Sequence, residues 1–151
     1  MNKHLKHIDH VAIAVPAGQM DAQVALYEKM GCKVVHEEKV YGGDQVREIL
    51  LQVGDSENLI QLLEPLDAQS PVAKQIERQG GRGGLAHVAF RVEDATAAFD
   101  DLKGDGFNLI DPAPRAGSRG TTVFFMHPKS HTTEGALGVL FEFVQEGAGH
   151  E

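Results

Sequence analysis

Two nearly identical stretches of this chain each begin with a histidine, HVAIAV at His10 and HVAFRV at His87. Farther along each copy, an oxygen-bearing side chain interrupts an apolar stretch, Gln61 in the first copy and Glu142 in the second. Burying such a polar group is costly unless it has a partner. Two imidazoles and two oxygen ligands suit a divalent metal ion and leave coordination positions open for a substrate. The repeated pattern therefore favours a metal site over four separate structural residues.

Glu48 is a second candidate for chemistry because it lies between Val46 and Leu50 on one face of a predicted strand. If that face is buried, the pKa of the carboxyl is raised, which suits a general base. If the strand is an edge strand, Glu48 faces water and pairs with Arg47 or a cross-strand lysine. The pattern leaves both interpretations open.

A third group of residues could bind the phosphates of a substrate. Cationic and hydroxyl side chains occur in and after a glycine-rich loop, at Arg115, Arg119, Lys129 and Ser130. Backbone N–H groups exposed in such loops bind anions, and arginine pairs readily with phosphate. A loop that simply faces water is an equal alternative.

The elements that must position these residues follow the order β-α-β-β-β twice. Hydrophobic periodicity, helix caps and turn residues predict them. The predicted strands are 8–15, 33–36, 46–53, 58–64, 85–92, 108–110, 121–126 and 139–144, and the predicted helices are 19–30, 70–79 and 94–103. We expect one domain, with module 1 at about 6–65, a helix and Gly-rich linker at about 66–84, and module 2 at about 85–146. The predicted fold class is α+β, with the paired βαβββ modules forming a curved mixed sheet around the metal site.

The composition narrows the class of protein. The chain has 151 residues, 42% of them hydrophobic, which is typical of one globular domain. The net charge of −8 argues against a nucleic-acid partner. Cys32 is the one cysteine, so no cysteine metal cluster is expected. The chain contains no membrane-spanning stretch and no apolar N-terminal signal, so we expect no membrane partner and a cytoplasmic location.

Several short motifs resemble the vicinal oxygen chelate (glyoxalase-like) superfamily and, within it, the methylmalonyl-CoA epimerase family. These motifs are Ile8–Ala12, Val46–Ile49, Ile60–Pro65, Ser70–Lys74, Gly84–Ala89, Pro114–Gly117, Phe125–Ser130 and Gly138–Glu142. They extend over nearly the whole chain. The histidine motifs fit many members of the superfamily. The Glu-Pro and His-Pro-Lys-Ser motifs are the ones that narrow the resemblance to the methylmalonyl-CoA epimerase family.

The resemblance implies an isomerase, usually a homodimer, that binds a divalent ion, typically Co²⁺, and an acyl-CoA substrate. Its metal ligands correspond to His10, Gln61, His87 and Glu142, and its catalytic base to Glu48. The implied reaction interconverts (2R)- and (2S)-methylmalonyl-CoA by removing and returning the α-proton through a metal-stabilised enolate. Glu142 is also a candidate for the second acid.

Two departures from the family pattern could change the acyl specificity. The sequence Gly-Gly-Asp-Gln at 42–45 replaces Pro-Glu-Gln-Gly, and extra residues occur at 131–136. The alternatives are a glyoxalase I-like isomerase or an epimerase of another acyl-CoA. A ring-cleaving dioxygenase would not need Gln61 or Glu48, and an antibiotic-sequestering binding protein often lacks the metal ligands.

Overall fold

The computed structural model describes residues 3–128 and 138–147. Within these ranges the chain forms eight strands, three helices and one 3₁₀ turn at Ser118–Gly120. The strands are β1 (Leu5–Ala14), β2 (Lys33–Val40), β3 (Val46–Gln52), β4 (Leu59–Pro65), β5 (Gly84–Val92), β6 (Arg115–Ala116), β7 (Thr122–Met126) and β8 (Leu140–Gln145). The helices are α1 (Met20–Lys29), α2 (Pro71–Arg78) and α3 (Ala95–Gly104). Hydrogen-bonded strands follow the order β2-β3-β4-β1-β5-β8-β7-β6.

Contacts group the chain into two compact units, residues 10–86 and residues 3–9 with 87–147. In the first unit β2, β3 and β4 are antiparallel neighbours, and β4 pairs in parallel with the second half of β1. Apolar side chains on one face of these strands pack under α1. The fully buried members of this cluster are Val15, Met20, Ile49, Leu51 and Leu62. This packing fixes the strand register that positions the polar residues on the opposite face.

Helix α2 of the same unit begins as the sequence predicts. Ser70 caps it by accepting a hydrogen bond from Val72 N at 3.2 Å, and Pro71 occupies the first helical position. The Ser70 hydroxyl also donates to the Asp44 carbonyl oxygen at 3.0 Å. The cap therefore ties α2 to the loop before β3.

In the second unit β5 runs parallel to β8, and β8, β7 and β6 are antiparallel neighbours. Asp94 caps α3 by accepting a hydrogen bond from Ala97 N at 3.1 Å. Phe99 of α3 packs edge-on against Phe124, which stacks on Phe143 with ring centroids 4.8 Å apart. This aromatic cluster is the core of the second unit.

The expected βαβββ order is confirmed in both halves, and so is the α+β fold class with a mixed sheet. One strand is misplaced in the prediction, because 108–110 is not a strand and Leu109 forms only an isolated bridge with Met126. The sheet instead gains the short β6. Asp111 explains the difference, since its carboxylate accepts the hydrogen bond of Phe125 N at 2.7 Å, which a strand carbonyl would otherwise accept.

Among the described residues, no helix combines the length and the apolar character that crossing a bilayer requires. The longest helices, α1 and α3, have ten residues each.

Candidate active site

Glu48 and Gln61 form a buried polar pair in the unit of residues 10–86. Strands β3 and β4 pair so that Gln61 lies opposite Leu50 and Glu48 lies opposite Leu63, which places both side chains diagonally on one face. Gln61 Nε2 donates a hydrogen bond of 2.7 Å to Glu48 Oε1. Both residues are buried, with exposed fractions of 4% for Glu48 and 6% for Gln61. The interpretation of Glu48 as a solvent-facing edge charge is therefore wrong.

The other end of the Gln61 amide is an oxygen with no hydrogen-bond partner. Gln61 Oε1 is buried and accepts no hydrogen bond in the structure. A buried acceptor left unsatisfied costs about 1–3 kcal/mol. A carbonyl-type oxygen held in this state fits the role of a ligand to a divalent cation, because such ions take oxygen and imidazole donors.

His10 lies on the same face of the sheet as Gln61. Strand β1 pairs in parallel with β4, with Ala12 opposite Gln61 and His10 opposite Leu59. His10 is two residues from Ala12, so its side chain points to the same side as that of Gln61. Its exposed fraction is 2%. This unit therefore carries one buried imidazole and one buried amide oxygen on the same face.

The second unit repeats this arrangement with His87 and Glu142. Strand β5 pairs in parallel with β8, with Ala89 opposite Glu142 and His87 two residues earlier. His87 Nε2 lies 3.1 Å from Glu142 Oε1, and both residues are buried. The Phe125 ring contacts the His87 ring edge-on, with centroids 5.4 Å apart. In both units an alanine pairs with the oxygen-bearing residue, and the histidine lies two positions before that alanine.

His36 and Glu38 form a further pair of polar side chains beside Glu48. His36 Nε2 lies 2.9 Å from Glu38 Oε1 and 3.7 Å from Glu48 Oε2. Glu38 is the cross-strand partner of Glu48 in the β2–β3 register. The sequence pattern assigns no role to His36, although its position within an alternating strand could have signalled that it shares a face with Glu38.

Arg47, next to Glu48 in sequence, points to the other face of β3. Its Nε donates to Glu37 Oε2 at 2.8 Å, and this hydrogen bond raises the pKa of Arg47 above its ordinary value. Its Nη1 lies 3.7 Å from Glu64 Oε1. Arg47 therefore pairs with carboxylates other than Glu48.

Two of the four predicted substrate-binding residues are already engaged with acidic side chains. Arg115 Nε donates to Asp111 Oδ1 at 2.9 Å, and its guanidinium lies over the Phe125 ring at 5.6 Å. Arg119 Nη2 donates to Asp9 Oδ2 at 3.2 Å. The other two, Lys129 and Ser130, lie outside the described residues, as do the extra residues 131–136.

The sequence matches the family model of the glyoxalase/bleomycin resistance protein/dioxygenase superfamily over residues 9–125. A relative from Cereibacter sphaeroides, named ethylmalonyl-CoA/methylmalonyl-CoA epimerase, is 36% identical over 81% of this chain and 88% of its own length. The chain belongs to the methylmalonyl-CoA epimerase family of this superfamily.

Solved structures of family members agree with this assignment. The methylmalonyl-CoA epimerase of Streptomyces coelicolor, in complex with 2-nitronate-propionyl-CoA, is 34% identical, covers 95% of this chain and 99% of its own, and has a TM-score of 0.82. Another methylmalonyl-CoA epimerase, in complex with methylmalonyl-CoA and NH₄⁺, is also 34% identical and has a TM-score of 0.82, covering 97% of this chain and 98% of its own. Like these members of the methylmalonyl-CoA epimerase family, the chain is an epimerase.

Proposed function

We propose that this epimerase interconverts (2R)- and (2S)-methylmalonyl-CoA. The names of its relatives support this substrate, because three matching proteins act on or bind malonyl- or propionyl-type thioesters of coenzyme A. The observation that carries the proposal in this chain is the buried Glu48 carboxylate held by Gln61 at 2.7 Å. A carboxylate fixed in this way is suited to remove an α-proton.

We further propose that His10, Gln61, His87 and Glu142 hold one divalent ion, with Co²⁺ as the ion implied by the family. The types of donor support this proposal, as does the buried Gln61 Oε1, which accepts no hydrogen bond. The equivalent register of the two histidine–oxygen pairs supports it as well. Such an ion, when bound, acts as a Lewis acid that withdraws electron density from the substrate carbonyl oxygens and acidifies the α-carbon.

In the proposed mechanism Glu48 accepts the α-proton of the substrate. Gln61 Nε2 donates to Oε1 of Glu48 and so fixes the orientation of the carboxylate that takes the proton. Burial removes competing water from the carboxylate and favours transfer of the proton to it. Glu142 is proposed to return a proton on the opposite face of the α-carbon. A proton given from the opposite face inverts the configuration.

The remaining proposals rest on the sequence pattern and, for the homodimer, on the family resemblance. Arg115, Arg119, Lys129 and Ser130 are proposed to bind the coenzyme A portion, which would require the two arginines to exchange their carboxylate partners for phosphate oxygens. A single domain, a homodimer and a cytoplasmic location are proposed on the same basis.

Exchange of the α-proton with solvent tests the reaction directly. The Co²⁺-loaded protein is incubated with (2R)-methylmalonyl-CoA in D₂O, and the α-proton signal is followed by NMR. We expect loss of the α-proton signal together with appearance of the (2S) epimer, abolition of both by a chelator, and recovery on adding Co²⁺. Absence of exchange with the metal bound would overturn the proposed function, and exchange that resists the chelator would overturn metal dependence alone.

Ethylmalonyl-CoA is a second candidate substrate, because the 36% identical relative is named for both acyl groups. One extra methylene in an apolar site is worth about 1–3 kcal/mol of discrimination, which corresponds to roughly 10–200-fold in kcat/KM. Comparing kcat/KM for the two thioesters under identical conditions decides which acyl group the chain prefers.

A further inference from the structure

Phe125 lies beside the His87–Glu142 pair of the second unit, and its aromatic ring contacts the imidazole. In the β7–β8 register Phe125 is the cross-strand partner of Glu142, so both side chains lie on one face of the sheet. The rings of Phe125 and His87 are nearly perpendicular, at 86°, with centroids 5.4 Å apart. This edge-on geometry is a favoured one for aromatic pairs. The Phe125 ring therefore restricts the directions in which the imidazole can turn.

The Phe125 ring is itself held by the carboxylate of Asp111. Its Oδ2 accepts the hydrogen bond of Phe125 N at 2.7 Å, and its Oδ1 accepts that of Arg115 Nε at 2.9 Å. The Arg115 guanidinium in turn lies over the Phe125 ring, 5.6 Å from its centroid, as in a cation–π contact. The Asp111 side chain, which is 10% exposed, thus fixes the backbone of Phe125 and the cation that covers its ring.

The orientation of the His87 ring is important because histidine binds a metal through one nitrogen, whose lone pair must point at the ion. His87 Nε2 lies 3.1 Å from Glu142 Oε1. Imidazole and carboxylate ligands bind a divalent ion such as Zn²⁺ at about 2.0–2.2 Å, so two neighbouring ligands of one ion lie roughly 3.0–3.5 Å apart. His87 Nε2 and Glu142 Oε1 thus already have the separation of neighbouring ligands.

We propose that Phe125 and Asp111 are positioning residues that hold the His87 imidazole in the orientation required of a metal ligand. This inference rests on the proposed function, in which His87 is one of four ligands. Phe125 acts by contact with the imidazole, and Asp111 acts through Phe125. A side chain that is already oriented loses less conformational entropy when the ion binds, so the affinity is higher. The hydrogen bond to Phe125 N does not involve Arg115, so it persists when Arg115 turns to a substrate phosphate.

Calorimetric titration of the metal-free protein with Co²⁺ tests the role of Phe125 without an activity assay. Phe125→Leu removes the ring and keeps an apolar side chain, and we expect the Co²⁺ dissociation constant to rise about five-fold. Phe141→Leu is the matched control, because Phe141 lies on the opposite face of β8 from Glu142 and has its own ring contact, with Phe90 at 5.6 Å. Its dissociation constant should stay within about two-fold of the wild-type value.

The same titration tests Asp111. Asp111→Ala removes both hydrogen-bond acceptors, and the Co²⁺ dissociation constant should rise about three-fold, less than in Phe125→Leu because the ring is still present. Asp100→Ala, at an exposed position of α3, is the control and should bind Co²⁺ like the wild type. A dissociation constant unchanged by Asp111→Ala would overturn the role of Asp111.

Phe125→Tyr separates the orientation of His87 from general stability. Tyrosine keeps the ring, so this variant should bind Co²⁺ within about two-fold of the wild type. Urea denaturation with chelator present measures the stability of each metal-free variant. Phe125→Leu and Phe141→Leu each lose a ring contact, so a purely structural role would weaken Co²⁺ binding in both.

Two failures of the titration have different meanings. A Phe125→Leu variant that binds Co²⁺ as tightly as the wild type, or a Phe141→Leu variant that loses as much affinity as Phe125→Leu, would overturn the inference. A wild-type protein that binds no Co²⁺, or a His87→Ala variant that binds it as tightly as the wild type, would instead overturn the proposed metal site.

Discussion

The two ends of the Gln61 amide differ in their hydrogen bonding, and one of them contacts Glu48. Its Nε2 donates to Glu48 Oε1 at 2.7 Å, whereas its Oε1 is buried and accepts no hydrogen bond. A ligand that binds a cation through oxygen becomes a better hydrogen-bond donor through nitrogen, because the amide is polarised. Gln61 therefore couples the proposed metal ligand set to the orientation of the proposed base.

Replacement of Gln61 by alanine should affect both metal binding and catalysis. Gln61→Ala removes one oxygen ligand and the hydrogen bond that fixes Glu48. We expect Co²⁺ affinity to fall roughly 10–100-fold, as with loss of other groups that support a metal site. We expect kcat, measured with saturating Co²⁺, also to fall by at least about ten-fold. Calorimetric titration gives the affinity, and the NMR assay gives kcat.

Gln52→Ala is the control for Gln61→Ala, because Gln52 lies at the end of β3 and contributes to none of the proposed ligands. A Gln61→Ala variant that binds Co²⁺ as tightly as the wild type would exclude Gln61 from the ligand set. Loss of metal affinity with kcat unchanged at saturation would instead show that the hydrogen bond to Glu48 is dispensable.

The Glu48→Gln variant should separate the base from the metal site. A glutamine at this position has nearly the same shape, and its carbonyl oxygen can still accept the hydrogen bond of Gln61. It cannot take a proton, so kcat should fall by about 10²–10⁴-fold. Co²⁺ affinity should stay within about two-fold, because no proposed ligand is removed. Epimerisation is followed by NMR and Co²⁺ binding by calorimetry.

Glu57→Gln makes the same chemical change at an exposed position between β3 and β4 and should have wild-type kcat. Glu48→Gln could retain α-proton exchange while replacement of His10 abolishes activity. That result would support the proposed metal site and assign the base to a residue other than Glu48.

Asp9 should be important for stability in the unit of residues 3–9 and 87–147. Its exposed fraction is 0%, and it accepts hydrogen bonds from Arg91 at 2.6 and 2.8 Å and from Arg119 at 3.2 Å. Asp9→Asn removes the buried charge that both guanidinium groups contact, and among the described residues Arg91 keeps only Glu146, whose Oε1 lies 3.6 Å from its Nη1. Removing one partner of a buried ion pair costs about 3–5 kcal/mol, so the free energy of unfolding in urea should fall by at least about 3 kcal/mol.

The measurement on Asp9→Asn is made with chelator present, so that metal binding at the adjacent His10 does not contribute. Glu93→Gln removes an exposed ion pair with Lys6, 3.9 Å long, and should change the free energy of unfolding by less than about 1 kcal/mol. Equal effects of the two variants would contradict the importance of the buried carboxylate.

The alternation of side chains in strands explains why the burial and the shared faces of four residues of the candidate site could be predicted from the sequence. His10 and Gln61, like His87 and Glu142, occupy central strands whose buried register depends on a strict period of two. The burial of Glu48 could not be predicted. Apolar residues on either side of it, at Val46 and Leu50, are compatible with an edge strand and with a buried strand.

Features that depend on local irregularities could not be predicted from the pattern. The register shift before His36 brings it beside Glu48, and no residue type signals a shift there. Arg119 adopts a left-handed backbone with φ of 57°, which is uncommon for arginine, and its partner Asp9 lies far away in sequence. The side chain of Asp111 replaces a strand hydrogen bond, so the strand predicted at 108–110 does not form.

Gly83 should tolerate no side chain, because two separate constraints act on it. Its φ is 80°, in the left-handed region, and a Cβ added there would overlap the carbonyl oxygen of Ala14. We expect Gly83→Ala to lower the free energy of unfolding by more than about 2 kcal/mol, from backbone strain and displacement of β1. Gly43→Ala is the matched control, since no atom lies within 4 Å of its added Cβ and its φ is not positive. Urea denaturation of both variants measures the difference, and coincident unfolding curves would show that the linker adapts without cost.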